Sequence, residues 1–188
     1  MASPRIIAGS AKGIRLQSVP GKITRPITDR VKEALFNIIG QDVIGATFLD
    51  LFAGTGSVGL EALSRGASYT RFIEIHPSAI KVLKENIKLC GFDGNFDIIR
   101  NDAFKYFASD PTQSFDYVFI APPQYQQIWL RALHAVEEHL DHCTLDSWII
   151  VQIDPIEYST PKLRKLVEFD RRRYGSTLLL FFSALKKR

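Results

Sequence analysis

The segment FLDLFAGTG at residues 48–56 constrains the fold of this chain more than any other. Its apolar part predicts a buried strand that ends in an acid, Asp50, followed by a tight turn with two glycines. Residues 57–65 then have the pattern of a helix. A strand, a glycine-rich turn and a helix in this order form a corner at which α/β proteins bind nucleotides. The segment therefore predicts an α/β fold with a ligand-binding loop.

The acid in this corner indicates which kind of ligand the loop binds. Asp50 ends the strand where a dinucleotide would place its pyrophosphate, and a carboxylate there repels phosphate and attracts a cation. S-adenosylmethionine carries a sulfonium and an ammonium group and no phosphate. We therefore expect S-adenosylmethionine as the cofactor and methyl transfer as the reaction. Residues 54–59 also match the dinucleotide pattern GxGxxG, so an NAD-dependent oxidoreductase and a turn without a ligand are the alternatives.

Strand and helix patterns alternate from residue 47 onward, which is typical of a mostly parallel sheet covered on both faces. We expect one Rossmann-like domain with a seven-stranded sheet, in which a basic hairpin at 1–23 precedes the core at 24–188. Thr28 is the expected N-cap of a first helix at 31–39. The hairpin strands are predicted at 5–8 and 14–17, the sheet strands at 47–52, 69–75, 96–100, 115–120, 148–153, 167–173 and 176–184, and the later helices at 57–64, 77–89, 103–108 and 125–140.

The charge distribution suggests a polyanionic partner. Residues 1–37 carry a net charge of +5 and residues 162–188 a net of +7, whereas residues 38–161 carry −8. If both basic segments lie on one face, they form the phosphate-binding surface that a nucleic acid requires. The alternative is two unrelated, solvated basic ends, and the run at 171–173 fits either reading.

Other features exclude several classes of protein. No apolar run is long enough to span a membrane, and the two cysteines form no CxxC pair, so we expect a cytoplasmic protein or one from a reducing organelle stroma. His134, His139, His142 and Cys143 lie close together, but no second cysteine pair accompanies them. We therefore expect no metal site.

Two further acids lie at the ends of predicted strands. Glu74 lies about 20 residues beyond the glycines, where an acid can accept hydrogen bonds from two ribose hydroxyls, and Ile75 beside it can pack on an adenine. Asp102 has two readings of equal weight: it accepts a hydrogen bond from the adenine amino group, or it caps the next helix.

The loop after the fourth predicted core strand has the features of a catalytic loop. Pro122 and Pro123 stiffen its backbone, so carbonyl oxygens there can hold the N–H groups of an exocyclic amine out of the ring plane. The freed lone pair can then attack a methyl group. Tyr125 can stack on a base that has been flipped out of its helix. The alternative is a strand-ending turn with a packing tyrosine.

These motifs together resemble a known family. The segment at 50–57 with Pro122-Pro123 looks like an amino-group methyltransferase, and RIIAG at 5–9 and TRPITDRVKEALFN at 24–37 are similar to bacterial RsmD-type enzymes. Those enzymes methylate the N2 amino group of one guanine in small-subunit ribosomal RNA. The resemblance extends from residue 5 to about residue 184 and is closest up to Gly56.

The resemblance implies a set of site residues. The partner would be ribosomal RNA or the assembling small subunit, and we expect a monomer because RNA must reach both basic segments. The cofactor would contact Arg25, Thr28, Asp50, Phe52, Ala53, Gly54, Thr55, Gly56, Glu74, Ile75, Asp102 and Ala103. RNA would contact Arg5, Lys12, Arg15 and Arg30, and the catalytic loop would comprise Ala121, Pro122, Pro123, Gln124 and Tyr125.

The catalytic loop departs from the family pattern, which reads Asp or Asn, Pro, Pro and an aromatic residue. Ala121 stands at the acid position, and Gln124 stands at the aromatic position, one place before Tyr125. Loss of a side-chain acceptor can cost on the order of 10²–10³ in rate. Gln124 is one candidate for a replacement carbonyl oxygen. Otherwise the chain is a divergent branch with another target, or a binding protein with little turnover.

Overall fold

The computed structural model describes residues 3–19 and 27–185 and contains alternating helices and strands. Three short 3₁₀ helices lie at Gly40–Val43, Leu140–His142 and Pro155–Glu157. The helices are α1 (Asp29–Ile39), α2 (Ser57–Ser64), α3 (Pro77–Leu89), α4 (Ala103–Phe107) and α5 (Ile128–Glu138). The strands are β1 (Thr47–Asp50), β2 (Tyr69–Glu74), β3 (Phe96–Arg100), β4 (Phe115–Ile120), β5 (Cys143–Ile153), β6 (Leu166–Tyr174) and β7 (Thr177–Ala184).

The seven core strands form one sheet in the order β3-β2-β1-β4-β5-β7-β6. Strands β1 to β5 pair in parallel, and β7 and β6 add antiparallel strands at one edge. The chain order reverses between β1 and β4, which are neighbours in the sheet. The carboxyl ends of strands at such a reversal form a crevice, which is where α/β sheets usually bind ligands. The α/β class, the parallel sheet and its seven strands are as predicted.

The helices cover both faces of the sheet because the strands are apolar on both sides. On one face, Leu35 and Phe36 of α1 pack with Phe48 of β1 and residues of α2. On the other face, Trp129 and Leu133 of α5 pack with α4 and with strands β4, β5 and β7. The Thr28 hydroxyl caps α1 as predicted, by accepting a hydrogen bond from the Val31 N–H at 3.4 Å. The helix itself begins at Asp29, before the predicted range 31–39.

The N-terminal hairpin is simpler than the predicted pair of strands at 5–8 and 14–17. It has one antiparallel bridge, between Arg5 and Arg15, around a turn at residues 9–13. The backbone N–H groups of Ile7 and Ala8 donate to the Glu61 carboxylate instead of to the opposite segment, at 2.8 and 3.0 Å. The segment therefore docks on α2 and does not extend into a two-stranded ladder. Residues 20–23 of the predicted hairpin lie outside the described residues.

The largest difference concerns the predicted helix at 125–140, which begins later. Tyr125 and Gln127 have φ values of 67° and 54°, in the left-handed region, so α5 starts only at Ile128. Residues that precede it remain in the loop after β4. Strand β5 is longer than predicted and begins at Cys143.

Within the described ranges, no helix has the length and apolar character that crossing a membrane requires.

Candidate active site

A cavity of about 630 Å³ opens at the carboxyl ends of β1, β2 and β4, next to the reversal of strand order. It brings together most of the residues that the sequence assigned to a cofactor and to catalysis. These are Asp50, Phe52, Ala53, Gly54, Thr55, Glu74, Ile75, Asp102 and Ala103, with Ala121, Pro122, Pro123, Gln124 and Tyr125 from the loop after β4. Thr28 and Gly56 do not line the cavity, and Arg25 lies outside the described residues.

Asp50 is the buried acid of the cavity. Its side chain is 2% exposed, and Oδ2 accepts a hydrogen bond from the Gly59 N–H at 3.1 Å. Burial raises the pKa of Asp50 to about 7, and the nearby charge of Glu74 adds to this, whereas the Gly59 hydrogen bond opposes it. A cation bound in the cavity would favour the carboxylate. Ionisation of Asp50 is therefore costly unless a positive charge lies beside it.

Glu74 orients the loops around the cavity with both of its oxygens. Oε2 accepts from the Gly54 N–H, and Oε1 accepts from the N–H groups of Ile75 and His76, each at 2.8 Å. Since a carboxylate oxygen has two lone pairs, Oε2 keeps acceptor capacity for a ligand hydroxyl. Ile75 is 49% exposed beside it, as an apolar surface at the cavity. The acid that was predicted to bind ribose thus also shapes the glycine loop.

Asp102 caps helix α4, which confirms one of its two sequence readings. Its Oδ1 accepts from the N–H groups of Phe104 and Lys105 at 3.0 and 3.1 Å. The residue also lines the cavity beside Ala103. Only Oδ1 makes these capping bonds, so the cap is compatible with a ligand contact through Oδ2.

The two glycines of the loop have different roles. Gly54 lines the cavity and has φ of 54°. Gly56 has φ of 78° and precedes α2, and a Cβ there would lie 2.2 Å from Cδ1 of Leu83. Gly56 is therefore required by the close packing of the loop on α3, and its predicted contact with the cofactor does not appear in the cavity lining.

The charges that line the cavity fit S-adenosylmethionine. Asp50, Glu74 and Asp102 are the acidic groups in the lining, and no Lys or Arg of the described ranges joins them. Such a lining attracts a sulfonium and an ammonium group and repels a pyrophosphate. The acidic lining therefore argues against a dinucleotide, in agreement with the interpretation of Asp50 from sequence.

No cluster of metal-ligating side chains occurs in the described ranges, and His142 instead packs among aromatic rings of α4.

The loop after β4 presents an exposed aromatic ring at the mouth of the cavity. Pro122 is buried and Pro123 is exposed. Tyr125 is 67% exposed, and its hydroxyl donates to Oδ2 of Asp154 at 3.3 Å. The ring is thus tethered at one end and accessible on its faces, as a stacking platform for a base requires.

Several cavity residues were not identified from sequence. Ser57 directly follows the glycine loop, and Gln152 is a polar residue within the apolar run of β5, so both carried a signal that could have been used. The others have apolar or loop positions without such a signal. They are Ile27, Leu51, Val58, Ile73, His76, Asn101, Phe104, Phe119, Gln126 and Ile128.

The four predicted RNA contacts, Arg5, Lys12, Arg15 and Arg30, are all exposed. Arg5 Nε donates to Oδ2 of Asp29 at 2.8 Å. The second basic segment, residues 162–188, includes the edge strand β6. Its residues 171–173 belong to β6, the edge strand at the opposite end of the sheet from β3 and β2, and Arg171 and Arg172 pair with Glu168 and Asp170.

A buried ion pair holds the N-terminal segment beside the cavity. Lys32 Nζ lies 3.4 Å from Oε2 of Glu61, and it donates to the Arg5 carbonyl at 2.7 Å and to Oγ of Ser57 at 3.0 Å. Ser57 lines the cavity, whereas Arg5 belongs to the basic hairpin. One ammonium group thus connects the hairpin, α1 and the start of α2.

Comparisons with known proteins relate this chain to methyltransferases. Residues 4–183 match the family described as Conserved hypothetical protein 95. The chain is 36% identical over 175 residues to "Putative rRNA methyltransferase YlbH" of Bacillus subtilis, covering 92% of this chain and 95% of that protein. It is 33% identical over 135 residues to ribosomal RNA small subunit methyltransferase D of Escherichia coli, covering 72% and 67%. The solved structure titled "Putative methyltransferase yhhF from Escherichia coli" superimposes with a TM-score of 0.84 at 28% identity, covering 96% and 97% of the two chains.

Proposed function

Because this chain belongs to the RsmD-type family of methyltransferases, we propose that it transfers a methyl group from S-adenosylmethionine to the N2 amino group of a guanine in small-subunit ribosomal RNA. The observation that carries the proposal is the acidic cavity beside the Pro122-Pro123 loop, at the reversal of strand order. Such a cavity suits a cationic cofactor, and the loop beside it suits a flat base. The names of the relatives support ribosomal RNA as the substrate class.

The cofactor's positive groups would be held by Asp50, and its ribose by the remaining acceptor capacity of Glu74. Ile75 and the surroundings of Asp102 would form the adenine site, since they line the same cavity. The bound cofactor supplies an electrophilic methyl group on a sulfonium. The buried, ionised Asp50 stabilises positive charge there before the reaction, so its role is binding and orientation.

The loop after β4 would position the base. Because Pro122 and Pro123 restrict the backbone, the carbonyl groups next to them are fixed acceptors for the amine N–H groups. Tyr125 would stack on the flipped guanine. These contacts turn the nitrogen lone pair toward the methyl group, which favours in-line attack. The proton that the nitrogen then loses passes to water.

The exposed residues Arg5, Lys12, Arg15 and Arg30 would bind RNA phosphates, since they are cationic and accessible. The Lys32–Glu61 pair holds their segment close to Ser57 at the cavity, so phosphate contacts and the reacting base would be connected through a rigid element. In this proposal the protein acts as a monomer in the cytoplasm, on ribosomal RNA or on the assembling small subunit.

Ala121 motivates a second candidate function. Its methyl side chain cannot accept a hydrogen bond, so the chain can also be an RNA-binding assembly protein that retains the fold and turns over little. This alternative predicts tight binding of cofactor and RNA without methyl transfer. Ala121→Asp would then raise the methyl-transfer rate greatly from a very low basal level.

The decisive experiment is methyl transfer from radiolabelled S-adenosylmethionine to undermethylated small-subunit particles and to naked ribosomal RNA, with calorimetry of cofactor binding on the same sample. Incorporation at a single guanine amine would establish the proposed activity. Binding without incorporation would favour the assembly protein. Incorporation at another base or another atom would overturn the guanine-N2 assignment and leave the methyltransferase activity intact.

A further inference from the structure

One buried polar atom in the candidate active site has no hydrogen-bond partner within the described part of the chain. The side-chain oxygen Oε1 of Gln152 is inaccessible to solvent and has no hydrogen-bond partner among the described residues. Gln152 lies near the end of β5 and lines the cavity together with Ala121. A buried carbonyl oxygen without a donor costs free energy, and a role in catalysis is one reason why a folded protein retains such an atom. The cavity location favours a ligand as the missing donor.

Strand geometry places Gln152 beside Ala121. Strands β4 and β5 are parallel, with Ile120 opposite Val151, so Ala121 and Gln152 are the next pair along. Ile120 and Val151 belong to the core on the α5 face, and Ala121 packs against the core on the α1 face. Because side chains alternate along a strand, Gln152 shares the α1 face with Ala121.

The two residues differ in reach. Neighbouring strands lie about 4.8 Å apart, so the two Cβ atoms are close together. The side chain of Ala121 ends at its methyl group, whereas two methylenes extend the Gln152 amide further from the strand. The amide can therefore occupy the space that a larger, polar side chain at position 121 would fill.

We propose that Gln152 is a catalytic residue that accepts a hydrogen bond from the guanine N2 amine, in place of the side-chain acceptor that Ala121 lacks. The inference rests on the proposed function. An amine has two N–H groups, so one can donate to a loop carbonyl and the other to Oε1. The nitrogen–carbon bond forms as the carbon–sulfur bond breaks, the sulfur keeps the electron pair, and the nitrogen's proton passes to water. The neutral amide orients the amine and takes no proton.

The first test is Gln152→Leu, which keeps the approximate size of the side chain and removes the acceptor. We expect kcat for methyl transfer to small-subunit particles to fall on the order of 10²-fold. The Kd of S-adenosylmethionine should be unchanged, which also shows that the variant is folded. Gln41→Leu is the matched control, because Gln41 is exposed on the 3₁₀ helix Gly40–Val43 and does not line the cavity.

The second test asks whether an acceptor at position 121 restores the activity of the Gln152→Leu variant. If one acceptor can substitute for the other, Ala121→Asp should restore most of the kcat that Gln152→Leu loses, and the two substitutions should be strongly non-additive. A purely structural role of Gln152 predicts no rescue, because an added carboxylate would not repair packing.

The third test measures binding without turnover. Once the methylated guanosine is mapped in the wild type, particles are reconstituted with inosine at that site, which lacks the N2 amine. With S-adenosylhomocysteine present, the wild type should bind the guanosine particle more tightly than the inosine particle. Gln152→Leu should abolish this difference, whereas Gln41→Leu should keep it.

The outcomes separate this inference from the proposed function. An active wild type with an equally active Gln152→Leu variant overturns the role of Gln152 and leaves the proposed function intact. Preference for guanosine that survives in Gln152→Leu also overturns it. A wild type that transfers no methyl group to a guanine amine overturns the proposed function and this inference with it.

Discussion

Lys32 and Glu61 form an ion pair in which Nζ and Oε2 are 3.4 Å apart and both side chains are completely buried. Burial lowers the pKa of Lys32, and the Glu61 carboxylate partly opposes this effect. Glu61 also accepts hydrogen bonds from Ile7, Ala8 and Arg65. The pair therefore joins α1, α2 and the N-terminal hairpin. Removal of the Glu61 charge would leave the Lys32 ammonium buried without its counter-charge, whereas removal of Lys32 would leave Glu61 paired with Arg65 alone.

Loss of one member of this pair should destabilise the protein strongly. We expect Glu61→Gln to lower the free energy of unfolding by about 3–5 kcal/mol, because the Lys32 ammonium stays buried without a counter-charge. Lys32→Met should lower it by less, because Glu61 keeps its salt bridge with Arg65. Urea unfolding measures the effect. Arg172→Met is the control: its partner Asp170 is at the surface, and Arg172 is 57% exposed, so the loss should be below about 1 kcal/mol. Equal effects of the buried and exposed substitutions would contradict the prediction.

Gly9 should be essential for docking of the basic hairpin. It has φ of +83°, and a Cβ there would lie 1.7 Å from the Ser64 carbonyl oxygen, which accepts from the Ser10 N–H at 2.8 Å. We expect Gly9→Ala to displace the hairpin, to increase proteolysis before α1 and to weaken RNA binding. Gly13→Ala is the matched control, because Gly13 has φ of +87° and no atom within 4 Å of the added Cβ.

The backbone strain is similar at both glycines, so the difference between the two variants isolates the clash. Limited proteolysis and RNA binding are compared for the two proteins at equal concentration. The docking contact is unimportant if both variants behave alike.

Asp50 should reduce the stability of the protein without cofactor. Burial raises the pKa of Asp50 from 3.8 to about 7, so the folded state holds this proton more tightly than the unfolded state does. Below about pH 4 Asp50 is protonated in both states and costs no stability, and stability is lost as the pH rises through about 7. We expect Asp50→Asn to raise the Tm of the cofactor-free protein at pH 8 and to abolish tight cofactor binding. The gain in Tm should shrink as the pH falls toward 4. Asp93→Asn, on an exposed loop, should give no such pH-dependent gain.

The same carboxyl group should make cofactor affinity depend on pH. With a pKa of about 7 in the free protein, only about one Asp50 in ten is ionised at pH 6, so the Kd of S-adenosylmethionine should be about tenfold higher at pH 6 than at pH 8. Calorimetry between pH 6 and 8 measures it. A Kd that does not change in this range would show that Asp50 does not control the binding of the cation.

Tyr125 should contribute to RNA recognition and little to folding. Its ring is 67% exposed, so we expect Tyr125→Ala to leave the Tm nearly unchanged and to raise the KM for the RNA substrate by about 10- to 100-fold, because a stacked base is lost. Tyr125→Phe keeps the ring and loses only the hydrogen bond to Asp154, so its KM should stay close to that of the wild type. If the two variants have the same KM, stacking is not the role of Tyr125.

Local patterns in the sequence were enough to predict most helices and strands and the edge of the sheet at which the cavity lies. Strands 96–100 and 115–120 and helices 57–64 and 77–89 have the predicted bounds, because periodic burial and turn residues are local signals. The position of the cavity also followed from the order of residues along the chain. An acid and a glycine loop at the end of β1 must lie at the carboxyl edge of a parallel sheet.

The atoms that the polar side chains contact could not be predicted from the sequence and are seen in the folded structure. Glu74 binds the backbone of its own loop and of Gly54, twenty residues earlier, and such a pairing depends on how two parallel strands align. Lys32 occupies the apolar face of α1, between Val31 and Leu35, yet its ion pair exists only because α2 packs there. The position of the Gln152 oxygen, which has no partner in the described ranges, likewise depends on the register of β4 and β5. Long-range contacts of this kind are set by the packing of distant segments, and no local pattern in the chain encodes them.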